Sequence, residues 1–95
     1  MVDTGSIEWE AFRDNASIKN LSKQDVEINL IKLEPNSQFD EHSHEKTERI
    51  YILEGSYSDE RGEYSKGHFV IAEKNSTHKT KSGPNGCEVL VAKLI

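Results

Sequence analysis

The chain has 95 residues, of which 12 are Lys or Arg and 17 are Asp or Glu, so its formal net charge is −5. This length allows one small domain, which we assign to residues 1–95 with a core over residues 9–95. The acidic balance and scattered basic residues exclude the usual electrostatic surface for nucleic acid, and no apolar run reaches the roughly 18 residues that a membrane span needs. The sequence therefore predicts a cytoplasmic domain that binds neither nucleic acid nor membrane.

Short stretches with the alternating pattern of β-strands follow one another along the chain. Val26, Ile28 and Leu30 alternate with polar residues, which is typical of a strand with one face on a core, and the same pattern returns from Cys87 to Val91. The other candidate strands lie at residues 7–12, 18–21, 50–53 and 69–72. Because no window has the apolar stripe of a helix, the sequence predicts an all-β sandwich or barrel of about eight strands.

Turn residues separate these stretches. Pro35-Asn36 and the Asp59–Gly62 segment each combine residues that favour tight turns, so both predict reversals of the chain. The segment from Ser82 to Gly86 holds two glycines and a proline, and it predicts a flexible loop before the last strand.

Two of the candidate strands are apolar on both faces. Residues 50–53 and 89–92 have no polar side chain on either parity, so both faces of these strands should be covered. A domain of this size cannot cover both faces alone, and we expect a symmetric homodimer. The alternative is that these are ordinary scattered apolar residues on a surface.

Histidines and a glutamate are spaced as metal ligands. His42 and His44 are two residues apart and would project from one face of a strand. Glu48 lies about 13 Å further along a straight strand, so it joins them only if residues 45–47 turn the chain. His78 follows a polar turn, begins another short strand and offers a fourth ligand.

The same residues carry a resemblance to the cupin superfamily. His42, His44, Glu48 and Gly55 stand at the spacing of the first cupin motif, and Gly67 and His78 stand at the spacing of the second. Asn36 and Asn75 occupy positions where cupins have glycine, and Asn is the non-glycine residue best suited to a positive φ. Glu73 and Ser82 replace the usual proline and asparagine of the second motif.

From Trp9 to the end, and most specifically over residues 42–87, the sequence looks similar to cupin domains like the C-terminal half of the anti-sigma factor ChrR. That branch of the superfamily includes small diketone dioxygenases. The resemblance implies a jelly-roll, or double-stranded β-helix, barrel of six or more strands, in which His42, His44, Glu48 and His78 hold one divalent metal. Since the sequence offers no ligands for a zinc-binding anti-sigma domain, we expect no anti-sigma activity.

Three imidazoles and one carboxylate leave one or two positions open on the metal. We therefore expect a metal-dependent enzyme, dioxygenase-like or isomerase-like, that acts on a small oxygenated molecule, with Glu48 also serving as a catalytic proton acceptor. The ligand set does not decide among Fe, Zn, Mn, Ni and Cu. The alternative function is a non-catalytic metal-binding or ligand-sensing module that works through a partner.

Two further residues have side chains with metal-binding chemistry. His68 matches no ligand position and reads as a surface imidazole, with support of a metal ligand as the minor alternative. Cys87 is the single cysteine, which excludes an intramolecular disulfide, and it reads as a small buried hydrophobic residue.

Overall fold

A computed structural model describes the backbone of residues 1–95 and the side chains of all residues except 41 and 42. Along this backbone, a 3₁₀ turn at Thr4–Ser6 precedes eight strands. The strands are β1 (Glu10–Arg13), β2 (Ala16–Gln24), β3 (Val26–Leu33), β4 (Gln38–Ser43), β5 (Glu48–Asp59), β6 (Gly62–Ser65), β7 (Phe69–Ala72) and β8 (Thr77–Leu94). None of the described residues forms a helix long and apolar enough to cross a membrane. The all-β prediction is confirmed.

The strands pair antiparallel in the order β1-β2-β3-β8-β5-β6, with β4 added to β8 and β7 added to β5. The 18-residue strand β8 holds the two halves of this arrangement together. Its second half pairs with β3 and the start of β5, and its first half pairs with β4 and the end of β5. The sheet therefore curls around an interior that β5 and β8 both line.

Alternation along the paired strands builds the core. Ile52 of β5 is opposite Val89 of β8, and both side chains are buried, as is Val91 two residues further on. Tyr51 has the opposite parity and is exposed, together with its β7 partner Phe69. One face of these strands therefore fills the barrel and the other remains uncovered in the single chain.

The predicted loop at residues 82–86 is wrong, because this segment is part of strand β8. The Ser82 side chain is buried, accepts a hydrogen bond from the Ser37 N–H at 2.9 Å and donates one to the Glu34 carbonyl at 2.5 Å. Asn36 N–H donates to the Gly83 carbonyl at 2.9 Å. These bonds to the β3–β4 connection hold extended a segment that its composition alone would leave flexible.

The predicted turns at Pro35-Asn36 and Asp59–Gly62 are present, the second as the hairpin between β5 and β6. Asn36 and Asn75 have φ angles of 54° and 68°, as expected for residues in the place of glycines. The weaker strand candidates near the N-terminus are also strands, although β1 begins only at Glu10 and β2 extends to Gln24. The predicted short strand at His78 is instead the longest strand of the sheet.

Candidate metal centre

Three strand ends place the candidate ligands. His44 follows β4, Glu48 is the first residue of β5, and His78 is the second residue of β8. The chain turns between Ser43 and Glu48, as the ligand hypothesis required. Two backbone hydrogen bonds hold His44, at the end of β4, beside the segment that leads into β8. His44 N–H donates to the Ser76 carbonyl at 3.2 Å, and Asn75 N–H donates to the His44 carbonyl at 2.8 Å.

The His44 side chain lies close to both of the other two. His44 Nδ1 lies 3.5 Å from Glu48 Oε1, and the ring centroids of His44 and His78 are 5.9 Å apart. The two imidazoles are 8% and 11% exposed, and the Glu48 side chain is more accessible. Two nearly buried imidazoles and a carboxylate therefore meet at one end of the barrel.

His42, the fourth predicted ligand, has a side chain that lies outside the described residues. Its backbone is paired in register with that of His78. Among the described side chains, no group of three or more His, Cys, Asp or Glu is arranged to hold a metal ion. The four-residue ligand set therefore stays a prediction, and the described structure supplies the positions of three of its members.

The donors nevertheless suit a divalent transition metal in kind. Imidazole and carboxylate are ligands that zinc, iron, manganese, nickel and copper all accept. His78 Nδ1 is buried and has no hydrogen-bond partner among the described atoms. A buried nitrogen without a partner is uncommon in a folded protein and is often found where an ion or ligand belongs.

A cavity of about 570 Å³ occupies the barrel interior beside these residues. Its walls include both described imidazoles and Glu48, and its apolar lining comes from several strands: Phe12, Ile31, Leu33, Phe39, Ile50, Tyr57, Val89 and Val91. This volume lies in the range of known small-molecule sites. The cavity therefore combines an apolar body with a few polar groups near one end, as small-molecule sites commonly do.

A second polar group on the cavity wall escaped the sequence analysis. Asp59, Arg61 and Tyr64 belong to the β5–β6 hairpin, and the Asp59 side chain is only 2% exposed. Asp59 Oδ1 accepts hydrogen bonds from Arg61 N–H at 2.8 Å and Tyr64 Oη at 3.0 Å, and Oδ2 accepts one from Arg61 Nη2 at 3.1 Å. In sequence Asp59 and Arg61 indicate only a turn, because nothing in the pattern shows that the hairpin faces the cavity.

Burial alone would raise the pKa of Asp59, but the hydrogen bonds from Arg61 and Tyr64 outweigh it and hold the pKa below its ordinary value. The same interaction stabilises the charged guanidinium, and its hydrogen bond to Asp59 raises the pKa of Arg61. Asp59 is therefore an ionised carboxylate in the barrel wall, 3.9 Å from His78 Nδ1.

Glu48 also has a cationic neighbour, which lies near its second carboxylate oxygen. Lys93 Nζ lies 4.0 Å from Glu48 Oε2 and 3.6 Å from Glu27 Oε2. All three residues line the cavity. The ammonium between the two carboxylates offsets part of their mutual repulsion at this end of the barrel.

The remaining candidates take structural positions. His68 Nδ1 accepts a hydrogen bond from Ser65 N–H at 2.9 Å and so stabilises the turn between β6 and β7. Cys87 is buried in the core with Val89 and Ile52, as predicted. Neither side chain lines the cavity that contains His44 and His78.

A family model of ChrR cupin-like domains matches residues 1–94. The chain belongs to this family. The suspected resemblance to ChrR-like cupins is thereby confirmed, and the cupin barrel is the architecture of this ChrR cupin-like chain. No curated protein matches the sequence.

Solved structures share the fold at low sequence identity. A chain in the crystal structure of Rhodobacter sphaeroides SigE in complex with the anti-sigma ChrR is 19% identical, with a TM-score of 0.84 over 93% of this ChrR cupin-like chain. The match spans only 50% of that chain. The polyketide cyclase RemF from Streptomyces resistomycificus is 21% identical, with a TM-score of 0.87 over 99% of this chain and 78% of its own.

A third structure comes from Methylibium petroleiphilum PM1 and is provisionally assigned as an acetylacetone dioxygenase. It is 15% identical to this ChrR cupin-like chain, with a TM-score of 0.84 over 99% of this chain and 75% of its own. At these identities the three structures establish the fold only. The function has to be argued from the side chains of this chain.

Proposed function

We propose that this chain is a metal-binding cupin and a metal-dependent enzyme for a small oxygenated molecule. The proposed ligands of one divalent metal are His42, His44, Glu48 and His78. The observation that carries the proposal is the meeting of His44, Glu48 and His78 at the end of a large, mostly apolar cavity. The near burial of two imidazoles beside a carboxylate costs folding free energy, because polar groups are removed from water. Binding a metal and a substrate would offset that cost.

The cavity and its polar end suggest the substrate class. Aromatic and aliphatic side chains such as Phe39 and Val91 would contact the apolar part of a ligand, and its oxygen atoms would face the histidines. When bound, a divalent metal supplies Lewis acidity toward a carbonyl or enol oxygen, and iron adds redox chemistry with O₂. Two solved structures with this fold are a polyketide cyclase and a provisional acetylacetone dioxygenase, and both names indicate oxygen-rich small molecules.

Glu48 is the proposed proton acceptor. Its carboxylate lies at the cavity wall, within 3.5 Å of His44, and remains partly exposed to the cavity. A carboxylate in this position can remove a proton from a carbon next to a carbonyl group, a step that dioxygenase-like and isomerase-like reactions share. Lys93 Nζ lies 4.0 Å from Oε2, so a positive charge faces the proposed base on the side away from His44 Nδ1, which is nearer to Oε1.

Metal analysis tests the proposal directly. Protein purified without chelators is compared with His44→Ala and His78→Ala by elemental analysis, with His68→Asn as the matched histidine control. The amide oxygen of Asn can replace His68 Nδ1 as the acceptor for Ser65 N–H. We expect about one metal per chain in the wild type and the control, and a loss of most of it in both site variants.

If the wild type takes up none of iron, zinc, manganese, nickel or copper, even after reconstitution, the metal proposal is overturned. If metal is bound, O₂ consumption with acetylacetone and isomerisation of small oxygenated compounds are measured with Glu48→Gln as the comparison. We expect turnover in the wild type and about a 100-fold loss in the Glu48 variant, since general-base catalysis contributes roughly this factor.

A second candidate function follows from the family match over residues 1–94. As a ChrR cupin-like domain, the chain could instead be a non-catalytic metal-binding or ligand-sensing module that acts through a partner. One tightly held zinc, a large drop in melting temperature on its removal and no turnover across the substrate screen would support this function over the enzyme.

A further inference from the structure

The Asp59 carboxylate is held in a fixed position beside the proposed metal centre. It accepts three hydrogen bonds, from the Arg61 main chain, the Arg61 guanidinium and the Tyr64 hydroxyl. Arg61 is itself held by a further hydrogen bond from Nη1 to the Ile71 carbonyl at 3.3 Å. A carboxylate with this many partners and 2% exposure has little freedom to move.

His78 has a different neighbour at each ring nitrogen. Nδ1 lies 3.9 Å from Asp59 Oδ2 and 3.9 Å from Glu60 Oε2, and it has no hydrogen-bond partner among the described atoms. Nε2 lies 3.1 Å from Ser76 Oγ. That hydroxyl is in turn 2.5 Å from the Glu73 carbonyl oxygen.

These neighbours favour opposite tautomers of the neutral ring. The Ser76 hydroxyl has one proton and directs it to the Glu73 carbonyl, so Oγ can only accept from His78 and favours a proton on Nε2. An ionised carboxylate also only accepts, so Asp59 favours a proton on Nδ1. With the proton on Nε2, the bare lone pair of Nδ1 would face two carboxylates, which is unfavourable.

Only the tautomer that Asp59 favours leaves Nε2 unprotonated. A metal ligand must present a lone pair, and the hydrogen bond at the other ring nitrogen decides which nitrogen has one. We propose that Asp59 is a positioning residue for His78: its negative charge, 3.9 Å from Nδ1, favours a proton on Nδ1 and so leaves Nε2 available to a divalent metal. Ser76 acts against it by holding the proton on Nε2. The inference rests on the proposed metal site and assigns to it a residue outside the ligand set.

Two substitutions with opposite expected effects test this role. In Asp59→Asn, the amide group can donate to Nδ1 and so stabilise the wrong tautomer. We expect zinc affinity, measured by competition with a chromophoric chelator, to fall about 10- to 100-fold, the usual loss when a carboxylate that orients a metal ligand is replaced. In Ser76→Ala the competing acceptor is absent, and we expect zinc affinity to stay equal or to rise.

The matched control is Glu63→Gln, which neutralises an exposed carboxylate of the same hairpin that does not line the cavity, and it should bind zinc within about threefold of wild type. Long-range ¹H–¹⁵N correlation spectra of the metal-free proteins provide the direct readout of the tautomer. We expect the His78 proton to move toward Nδ1 in Ser76→Ala and toward Nε2 in Asp59→Asn.

Zinc affinity of folded Asp59→Asn within twofold of wild type would overturn the inference and leave the metal site intact. A wild type that binds no zinc would instead refute the metal site itself, so the two failures are distinguishable. Should Asp59→Asn not fold, the spectra of wild type and Ser76→Ala decide the question. A His78 proton that remains on Nε2 in Ser76→Ala would contradict the role of Asp59.

Discussion

At the scale of single residues, the Cys87 thiol shows how burial changes the chemistry of a side chain. It is 4% exposed in the core, and this burial, with a smaller contribution from the charge of Glu88, raises the pKa from 9.0 to about 11. Nucleophilic reactions of cysteine require the thiolate. The side chain therefore behaves as a small hydrophobic residue at neutral pH.

The raised pKa predicts a dependence of stability on alkaline pH. The unfolded chain releases the thiol proton near pH 9, whereas the folded chain retains it to about pH 11. The stabilisation by the protonated thiol is therefore complete below pH 9 and is lost as the pH rises from 9 to 11. We expect the unfolding midpoint of wild type to fall more steeply over this range than that of Cys87→Ala, as measured by urea denaturation. Parallel curves for the two proteins would contradict the prediction.

Two asparagines at positive φ show that local backbone conformation can be predicted from residue type. Asn36 and Asn75 were expected in left-handed conformations because they replace glycines of the cupin motifs, and both adopt them. The ligand spacing likewise placed a turn before Glu48, where the structure has one. Local geometry of this kind is predictable because it depends on neighbours in sequence.

At the scale of strands, features that depend on distant partners were not predictable. Composition favoured a loop at Ser82–Gly86, yet bonds from Ser37 and Asn36 make it a strand. Asp59 and Arg61 were expected only to turn the chain, because their contact with the cavity arises from the pairing of β5 with the first half of β8. Sequence periodicity reports which face of a strand is apolar and leaves its three-dimensional neighbours undetermined.

The pairing of β5 with β8 requires a close approach of two glycines. Gly55 has a φ of 74°, and a Cβ atom added to it would clash with the Gly86 carbonyl oxygen. Gly86 has a φ of 75°, and its own Cβ would lie 2.6 Å from the Leu33 carbonyl oxygen. The backbones of β3, β5 and β8 therefore come together where only a hydrogen atom fits.

This close approach predicts a large difference between two glycine substitutions. Gly55→Ala adds both a strained φ and a backbone clash, so we expect a loss of roughly 3 kcal/mol or more in unfolding free energy. Gly67 has a φ of 91° with open space around its added Cβ, and Gly67→Ala should lose only about 1–2 kcal/mol through strain. Chemical denaturation of both variants measures the difference. Equal losses would show that the contact between Gly55 and Gly86 is not limiting.

At the scale of the whole molecule, the outer face of the β7–β5–β8 sheet is largely apolar, apart from the exposed Arg49 opposite Ile71. Tyr51 is paired with Phe69 on one side and Leu90 on the other, and Ile71 follows on the same face of β7. Tyr51, Phe69 and Ile71 are exposed in the single chain. A contiguous apolar surface of this kind is typical of an interface between subunits.

The predicted homodimer should form through this face. A stable interface buries about 800 Å² on each partner, and a lysine in its centre would be removed from water without a counter-charge. We therefore expect a dimer for wild type and a monomer for the double variant Phe69→Lys/Ile71→Lys, as measured by light scattering after size exclusion. Val2→Lys, which changes an exposed apolar residue away from this sheet, is the matched control and should remain dimeric. A monomeric wild type would contradict the prediction.

Strand β8 pairs with β3, β4 and β5, supplies His78 near its beginning and delivers Val89 and Val91 to the core near its end. During synthesis, a nascent chain that ends before Thr77 contains the strands that pair with β8 but lacks β8 itself. The barrel therefore cannot close while residues 1–76 emerge from the ribosome, and its apolar strands are exposed over that period. Core formation and assembly of the candidate metal centre should consequently be a single late event in the biogenesis of this protein.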